Sequence, residues 1–372
     1  MTLDSRKWDV TKELEKKYTV RPYEKGDEAE IVELLELVFE GWPSFDLKRS
    51  NLDYWKWKYK ISTQYKNKII VGINEKNEIV GCNHLRMNMD FLVGDKLRKI
   101  CVGADSAVHP DYRKMGMFTK MDEIIDYSDI YAGISYTSNQ IMKNYVTKFS
   151  NCMFPNKIYS YIKINDIENY SKHHEISFIK KTGYKGFATF KNILVPTRSE
   201  VAVRRIKIFD DGVTAFWENI RGNYKFCSVK DAEWLNYRYC DIRGGEYQLF
   251  LAEENRSVLG YCVTRVNKVN PLVPVGFIME LMCPVRQTDI ADALLLEAHK
   301  AFNEQSVIDV QIWVSGGSFL EKIAKRHGYV NTRKNNFLYF DPITPNLDEK
   351  LTEISDVPVD SLNLQLGDLD LF

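Results

Sequence analysis

The chain repeats itself, and this constrains its fold more than any other feature of its 372 residues. Asp53-Tyr-Trp-Lys-Trp-Lys-Tyr59 resembles Glu233-Trp-Leu-Asn-Tyr-Arg-Tyr239. After each comes an apolar run, a polar turn and a second apolar run. In the first copy these are Ile69-Ile-Val-Gly-Ile-Asn74, Glu75-Lys-Asn-Glu78 and Ile79-Val-Gly-Cys82. In the second they are Tyr247-Gln-Leu-Phe-Leu-Ala252, Glu253-Glu-Asn-Arg256 and Ser257-Val-Leu-Gly-Tyr-Cys262. The Lys76-Asn77 and Glu254-Asn255 turns suit hairpins. Each copy then has a strand that ends at a proline, Ile100 to Pro110 and Gly276 to Pro284. An amphipathic helix is predicted next, near Phe118 to Tyr127 and Ile290 to Phe302. A strand and helix close each copy: Ile130–Ser135 with Gln140–Phe149, and Val307–Val314 with Ser318–His327. The period is too long for a solenoid. The pattern predicts a duplicated α/β domain.

At about 150 residues per domain, two domains fit the length. Residues 1–18 read as a helical lead-in, 19–165 as the first domain and 166–205 as connecting strands. Residues 206–340 read as the second domain and 341–372 as an acidic tail. From Pro345 onward the tail carries seven acidic residues and one lysine. Leu362, Leu364, Leu366, Leu369, Leu371 and Phe372 make it too apolar for plain disorder, so part of it is expected to pack.

Lys+Arg and Asp+Glu both total 51, which argues against nucleic acid as the main partner. No run of about 18 apolar residues is present to span a membrane. Met1 to Tyr18 is charged throughout, with no secretory h-region. The seven cysteines, Cys82, Cys101, Cys152, Cys227, Cys240, Cys262 and Cys283, are scattered without a CxxC. They fit reduced thiols in a cytoplasm rather than a disulfide frame or a zinc site. His173 and His174 form the one close histidine pair, and no metal is expected.

The segment that carries chemistry is Val108-His-Pro-Asp-Tyr-Arg-Lys-Met-Gly-Met-Phe-Thr-Lys-Met121. An apolar strand meets a proline turn, then a basic loop with Gly116, then a helix. Unpaired N–H groups at a helix start favour an anion such as phosphate, and glycine lets the backbone approach it. The loop is neither GxxxxGK[ST] nor GxGxxG. It resembles the pyrophosphate loop of the Gcn5-related N-acetyltransferases, [Q/R]xxGx[G/A], with Arg113-Lys-Met-Gly116-Met-Phe118 in that place. Phe118 stands where Gly or Ala is usual. The second half resembles the same fold in Gly317 to Tyr329, but Val285-Arg-Gln-Thr-Asp-Ile290 has no glycine. The resemblance implies two tandem domains of that superfamily, mixed α/β with mostly antiparallel sheets flanked by helices, the second having lost its cofactor loop.

The resemblance further implies acetyl-CoA as cosubstrate, held by Ala107, Val108, Arg113, Lys114, Met115, Gly116, Met117, Phe118 and Asn139. A strand at Ile130–Ser135 would splay from the motif strand and open a slot for the pantetheine arm. The implied reaction is direct attack of an amine on the thioester. Tyr145 is the general-acid candidate, with a core tyrosine as the alternative. Asp105 and His84 are base candidates, with structural roles as their alternatives. The terminal carboxylate of Phe372 is a further candidate by analogy. Trp42 and Phe45 have no match in the second copy and are expected to wall the acceptor site, whereas Trp55 and Tyr59 are expected to pack in the core. The acceptor is read as a small amine, an amino sugar or other metabolite, with protein amines, a non-catalytic CoA-binding module or another acyl donor as competing readings. Homo-oligomerisation is left open.

Overall fold

The computed structural model describes residues 17–59, 68–136, 157–174, 181–183, 199–336, 338–341 and 356–369, with Asn144 and Ile354. The strands, in chain order, are β1 (Tyr18–Pro22), β2 (Ile69–Asn74), β3 (Ile79–Val93), β4 (Lys96–Val108), β5 (Ala132–Tyr136), β6 (Ile158–Ile164), β7 (Ala202–Ile206), β8 (Phe226–Ser228), β9 (Gln248–Glu254), β10 (Ser257–Asn267), β11 (Val275–Met282), β12 (Asp309–Ser315), β13 (Val330–Asn336), β14 (Leu338–Asp341) and β15 (Leu362–Asn363). The first sheet runs β1-β2-β3-β4-β5-β14, with β8 on the far end of β3 and β15 on β8. The second runs β13-β6-β12-β11-β10-β9-β7. Both are mostly antiparallel.

The repeat is visible in both sheets. The hairpins β2–β3 and β9–β10 turn through Asn77 and Asn255, each at positive φ, a conformation that asparagine tolerates. In both halves the proline-ended strand lies parallel to the next one: β4 to β5, and β11 to β12.

The helices follow the sequence with local differences. α1 (Glu28–Phe39) buries Ile31, Leu34 and Leu35 on one stripe, as a period of 3.6 requires. α2 (Asn51–Tyr59) buries Tyr54, Trp55, Trp57, Lys58 and Tyr59, nearly all round, because it is wedged between the first sheet and the second half. α3 (Met117–Glu123) is shorter than predicted and turns Met117 and Met121 inward, with Ile125 just past its end. α4 (Ile167–His173) and α5 (Asp211–Ile220) precede α6 (Ala232–Tyr239), which is the repeat mate of α2. α7 (Thr288–Glu304) and α8 (Phe319–Arg326) cover the second sheet, α8 starting at Ser318, whose hydroxyl accepts from the Glu321 N–H. The predicted helix at Gln140–Phe149 lies outside the described residues, apart from Asn144. So do residues 1–16 of the predicted lead-in, and Tyr18 belongs to β1.

The sheets do not follow the segment boundaries read from the sequence. β6 falls within 19–165 yet pairs with β12 along its whole length, Ile158 opposite Ser315 through Ile164 opposite Asp309. β7, in the expected connector, edges the second sheet on β9. β14 crosses the other way and pairs with β5, Leu338 opposite Tyr136 through Asp341 opposite Gly133. Each half lends a strand to the other at the outer edge of a splayed strand, β14 on β5 and β6 on β12, where its N–H and C=O groups need a partner. One apolar core joins the halves. Phe91, Val93, Val102 and Ile134 of the first sheet pack with Leu249, Tyr261 and Met279 of the second and with Leu362, Leu364, Leu366 and Leu369 of the tail. Of the tail leucines, Leu362, Leu364, Leu366 and Leu369 are buried, and Leu371 lies outside the described residues. No helix among the described residues is long and apolar enough to cross a membrane.

Candidate active site

β4 and β5 hold three parallel pairs, Ile100 with Ala132, Cys101 with Gly133 and Val102 with Ile134. Their pairing then ends while β4 runs on to Val108. Past Val102 the β5 side of β4 has no strand partner among the described residues, and this splay is the candidate slot. At the head of β4, Pro110–Tyr112 form a 3-10 turn, Lys114 has φ 65° and Gly116 has φ 78°. Among the described residues, a Cβ on Gly116 would have its nearest neighbour at 3.9 Å, the Tyr18 hydroxyl, so the loop presents bare backbone there. Arg113, Lys114 and Gly116 are exposed. Arg113 Nε donates to the Val108 carbonyl at 3.1 Å and the Tyr18 hydroxyl to the Met115 carbonyl at 2.8 Å, which together pin the loop.

Behind the loop, Met117 fills a recess over β2 and β3. A Cβ on Gly72 or Gly81 would lie 2.7 or 2.5 Å from its sulfur. These glycines let α3 sit flat on the sheet. Phe118 packs half-buried with the Met117 and Met121 cluster, and Ala107 is buried on the opposite, α1–α2 face.

In the wall of the slot, the Asp105 carboxylate accepts three hydrogen bonds: from Trp42 Nε1 at 2.8 Å, Lys58 Nζ at 2.6 Å and the Tyr59 hydroxyl at 2.6 Å. Burial pushes this carboxyl up, but the charges of Lys58 and His84 and the bonds from Lys58 and Tyr59 outweigh it and hold it below its ordinary range. His84 is fully buried. Its Nε2 faces Trp55 Nε1 at 3.1 Å and its Nδ1 the Asp105 carbonyl at 3.0 Å. An indole only donates, so Nε2 accepts and Nδ1 carries the proton. Burial lowers this ring to about 4, only partly opposed by Asp105. Neither base candidate from the sequence has an uncommitted position: His84 would have to break a hydrogen bond to take a proton, and both Asp105 oxygens are engaged.

Trp42 and Phe45 are both buried against Tyr54, at 5.4 Å between centroids. Trp42 serves Asp105, and Phe45 lies under the Arg265 guanidinium of the second half at 4.2 Å. Tyr59 and Trp55, read as core, are buried but also bond Asp105 and His84. Sequence reasoning missed Lys58. Its signal was the repeat itself, since Lys58 aligns with Arg238 and both are buried bases. Asn139, Tyr145 and Phe372 lie outside the described residues. Among those described, no group of His, Cys, Asp and Glu is arranged to hold a metal.

The second half has a matching splay, with four β11–β12 pairs ending at Ile278 and Ile312. Its slot is filled by the chain's own tail. The Leu281 N–H donates to Gln365 Oε1 at 2.8 Å, and Gln365 Nε2 donates to the Leu281 carbonyl at 3.1 Å. Lys230, wholly buried, bridges Glu280 at 2.7 Å and Asp368 at 2.6 Å.

Two twisted sheets, each with a splayed parallel pair, and one glycine loop at a strand head define the two-lobed α/β fold of the Gcn5-related N-acetyltransferases. No family model and no curated protein matches the sequence. Solved structures match in shape. The chain is similar to Saccharomyces cerevisiae N-myristoyltransferase solved with myristoyl-CoA and inhibitors, with a TM-score of 0.61 and 9% identity over 95% of this chain and 86% of that one. A Gcn5-related N-acetyltransferase from Anabaena variabilis gives 0.58 and 10%, over 88% and 73%. A conserved Enterococcus faecalis protein described as a probable N-acyltransferase gives 0.57 and 11%, over 87% and 72%.

Proposed function

We propose that the chain is an N-acyltransferase that uses a CoA thioester, acetyl-CoA in the first instance, and acylates a primary amine of a small molecule such as an amino sugar. The observation that carries this reading is the parting of β5 from β4 beyond Val102, next to the exposed loop with left-handed Lys114 and Gly116. The residues fit such a donor. Arg113, Lys114 and the bare backbone at Gly116 would meet its diphosphate, and the β4 edge from Gly103 to Val108 would meet the amide-bearing arm. The fold is shared with proteins described as acetyl- and myristoyltransferases, so both donor lengths enter the test.

The donor supplies an activated acyl carbonyl. A lysine-like amine, with a pKa of about 10.4, must first lose a proton. In the transfer the C–N bond forms, the C–S bond breaks and the thiolate leaves with a proton from an acid. Tyr145 keeps that acid role in this proposal. Asp105, ionised and triply bonded, acts as an anchor rather than as the base. The buried aromatic cluster of Trp42, Phe45 and Tyr54 keeps water from that wall of the slot.

The test is thermal unfolding with acetyl-CoA and, separately, myristoyl-CoA. At 100 times Kd a ligand adds about 2.7 kcal/mol. For a domain of this size Tm should rise by roughly 5–10 °C. The rise is expected in wild type and not in Arg113→Glu. A panel of amines, glucosamine included, then reports free CoA release, with Tyr145→Phe about 100-fold slower. No rise with either donor overturns the reading.

A further inference from the structure

Asp105 is the one residue of β4 with a positive φ, 44°. It sits at a bulge: Ala104 pairs with His84 and Ala107 with Cys82, so Asp105 and Ser106 together face Asn83. The bulge lies three residues beyond Val102, where β5 has already parted from β4, and so forms part of the slot wall. A non-glycine residue persists in such a conformation only where its surroundings over-determine it. Here they do. The Asp105 side chain takes the bonds from Trp42, Lys58 and Tyr59, and its carbonyl takes the one from His84. Lys58 is 3% exposed and lies 5.5–5.8 Å from the ring centroids of Tyr54, Tyr59 and Trp42.

The second half shares the tyrosine–carboxylate part of this arrangement, with Lys230 on the carboxylate in place of Arg238, the repeat mate of Lys58, which bonds Gly367 and Tyr247 instead. The Tyr239 hydroxyl, repeat mate of Tyr59, donates to Glu280 at 2.7 Å. Glu280 flanks a bulge, since Val263 pairs with it while Thr264 pairs with Ile278, which leaves Met279 as the extra residue. The backbone of the next residue, Leu281, is the one that holds the carboxamide of Gln365 through both its N–H and its C=O. In the first half the residue after the anchored carboxylate is Ser106.

We propose that Lys58, with Tyr59, is a positioning residue for acyl transfer. Acting through Asp105, it holds the β4 bulge in the shape that turns the Ser106 backbone toward an amide or acyl carbonyl in the slot, as the Leu281 backbone is turned toward Gln365. This rests on the proposed acyltransferase reading and adds the clamp that sets its geometry.

The experiment compares Lys58→Met, Lys58→Arg, Tyr59→Phe and the exposed control Lys56→Met. Acetyl-CoA and myristoyl-CoA are the donors, with the panel amine that wild type turns over fastest. For Lys58→Met, kcat should fall about 10- to 100-fold while donor Kd stays within about threefold, because misplacement of a reacting group costs rate rather than binding at the distant loop. Lys58→Arg should recover part of the loss, and Lys56→Met should match wild type. Hydrogen exchange should quicken at amides 103–108 in Lys58→Met and not at 96–101. Where Lys58→Met does not fold, Tyr59→Phe, which removes one hydroxyl, gives the same readouts at smaller amplitude. Unchanged exchange at 103–108 overturns the clamp. Faster exchange with undiminished kcat, or kcat and donor affinity falling together, overturns the positioning role. A wild type that binds neither donor overturns the acyltransferase reading and the positioning role with it, while exchange alone still reports on the clamp.

Discussion

Trp57 and Tyr237, which occupy the same place in the two copies of the repeat, bind each other reciprocally. Trp57 Nε1 donates to the Tyr237 carbonyl at 3.1 Å, and the Tyr237 hydroxyl donates to the Trp57 carbonyl at 3.1 Å. Their rings lie 5.4 Å apart. The halves thus meet through equivalent helices, α2 and α6, with the self-complementary contact of a twofold dimer. A Cβ on Gly244 would come within 2.4 Å of the Trp57 ring, so the second half keeps a glycine where that ring lands.

Trp57→Ala should therefore destabilise the whole chain by about 3–5 kcal/mol, the cost of a large buried cavity. Tyr237→Phe should cost about 1 kcal/mol, one hydrogen bond. Urea unfolding measures both. A loss under about 1 kcal/mol for Trp57→Ala, within the range of surface changes, would mean that this contact does not hold the halves together.

Gly81→Ala should act on the proposed donor site without touching it. The new methyl meets the Met117 sulfur, so α3 and the loop before it must shift or the side chain must repack, at about 1–3 kcal/mol. Donor affinity should weaken, and Met117→Ala in the same chain should restore much of it. Calorimetric titration with acetyl-CoA checks this. Unchanged affinity in Gly81→Ala would show that the loop does not depend on how α3 is seated.

Lys230→Met removes the cation shared by Glu280 and Asp368 deep in the second half. Two buried carboxylates are then left unpaired, and loss of one partner from a buried pair costs about 3–5 kcal/mol. Burial already pushes the Glu280 carboxyl up, with Lys230 opposing it. Adding Glu280→Gln and Asp368→Asn to Lys230→Met should recover stability. If the triple variant is no better than the single one, the charges are not what the lysine serves.

Acid should weaken the fold through its buried histidines. Burial holds His84 at about 4, and it holds His299 and His327 below their usual value. Lys163 lowers both of the latter further, and Asp292 partly opposes the shift at His327. Among the described residues neither ring nitrogen of His299 has a partner. Each ring gains its proton more readily when unfolded, at about 6.5. Their contribution is therefore complete above that pH and is lost as pH falls toward 4, by up to about 1.4 kcal/mol per unit for each ring. Asp309, raised to about 6, acts in the opposite sense. Stability by urea should drop from pH 7 to pH 5, less steeply in His299→Phe. A flat profile would contradict the neutral, buried assignment.

Much of the architecture was legible because it is written locally. Asn77 and Asn255 announce their hairpins, and Ser318 with Glu321 announces the start of α8. The loop that turns at Lys114 and Gly116 was legible as a loop, since Arg113 to Gly116 is contiguous. The wall of the slot was not. Lys58 is a base in a charged stretch, and its alignment with Arg238 does not say that it is buried on Asp105, 47 residues away. His84 and Asp105 were found as residues, but the bonds that commit them come from Trp55, Trp42 and Tyr59 on another helix.

The sequence by itself determined the two hairpins, the proline-ended strands, the helices after them and the fold class, because periodicity, turn chemistry and short motifs act between near neighbours. Only the tertiary structure decided that β6 and β14 change sheets and that the tail fills the second slot through Gln365. It alone decided that Lys58 anchors Asp105. Each of those depends on which unsatisfied edge or buried charge another part of the chain can reach, and that is settled when the two halves close on each other.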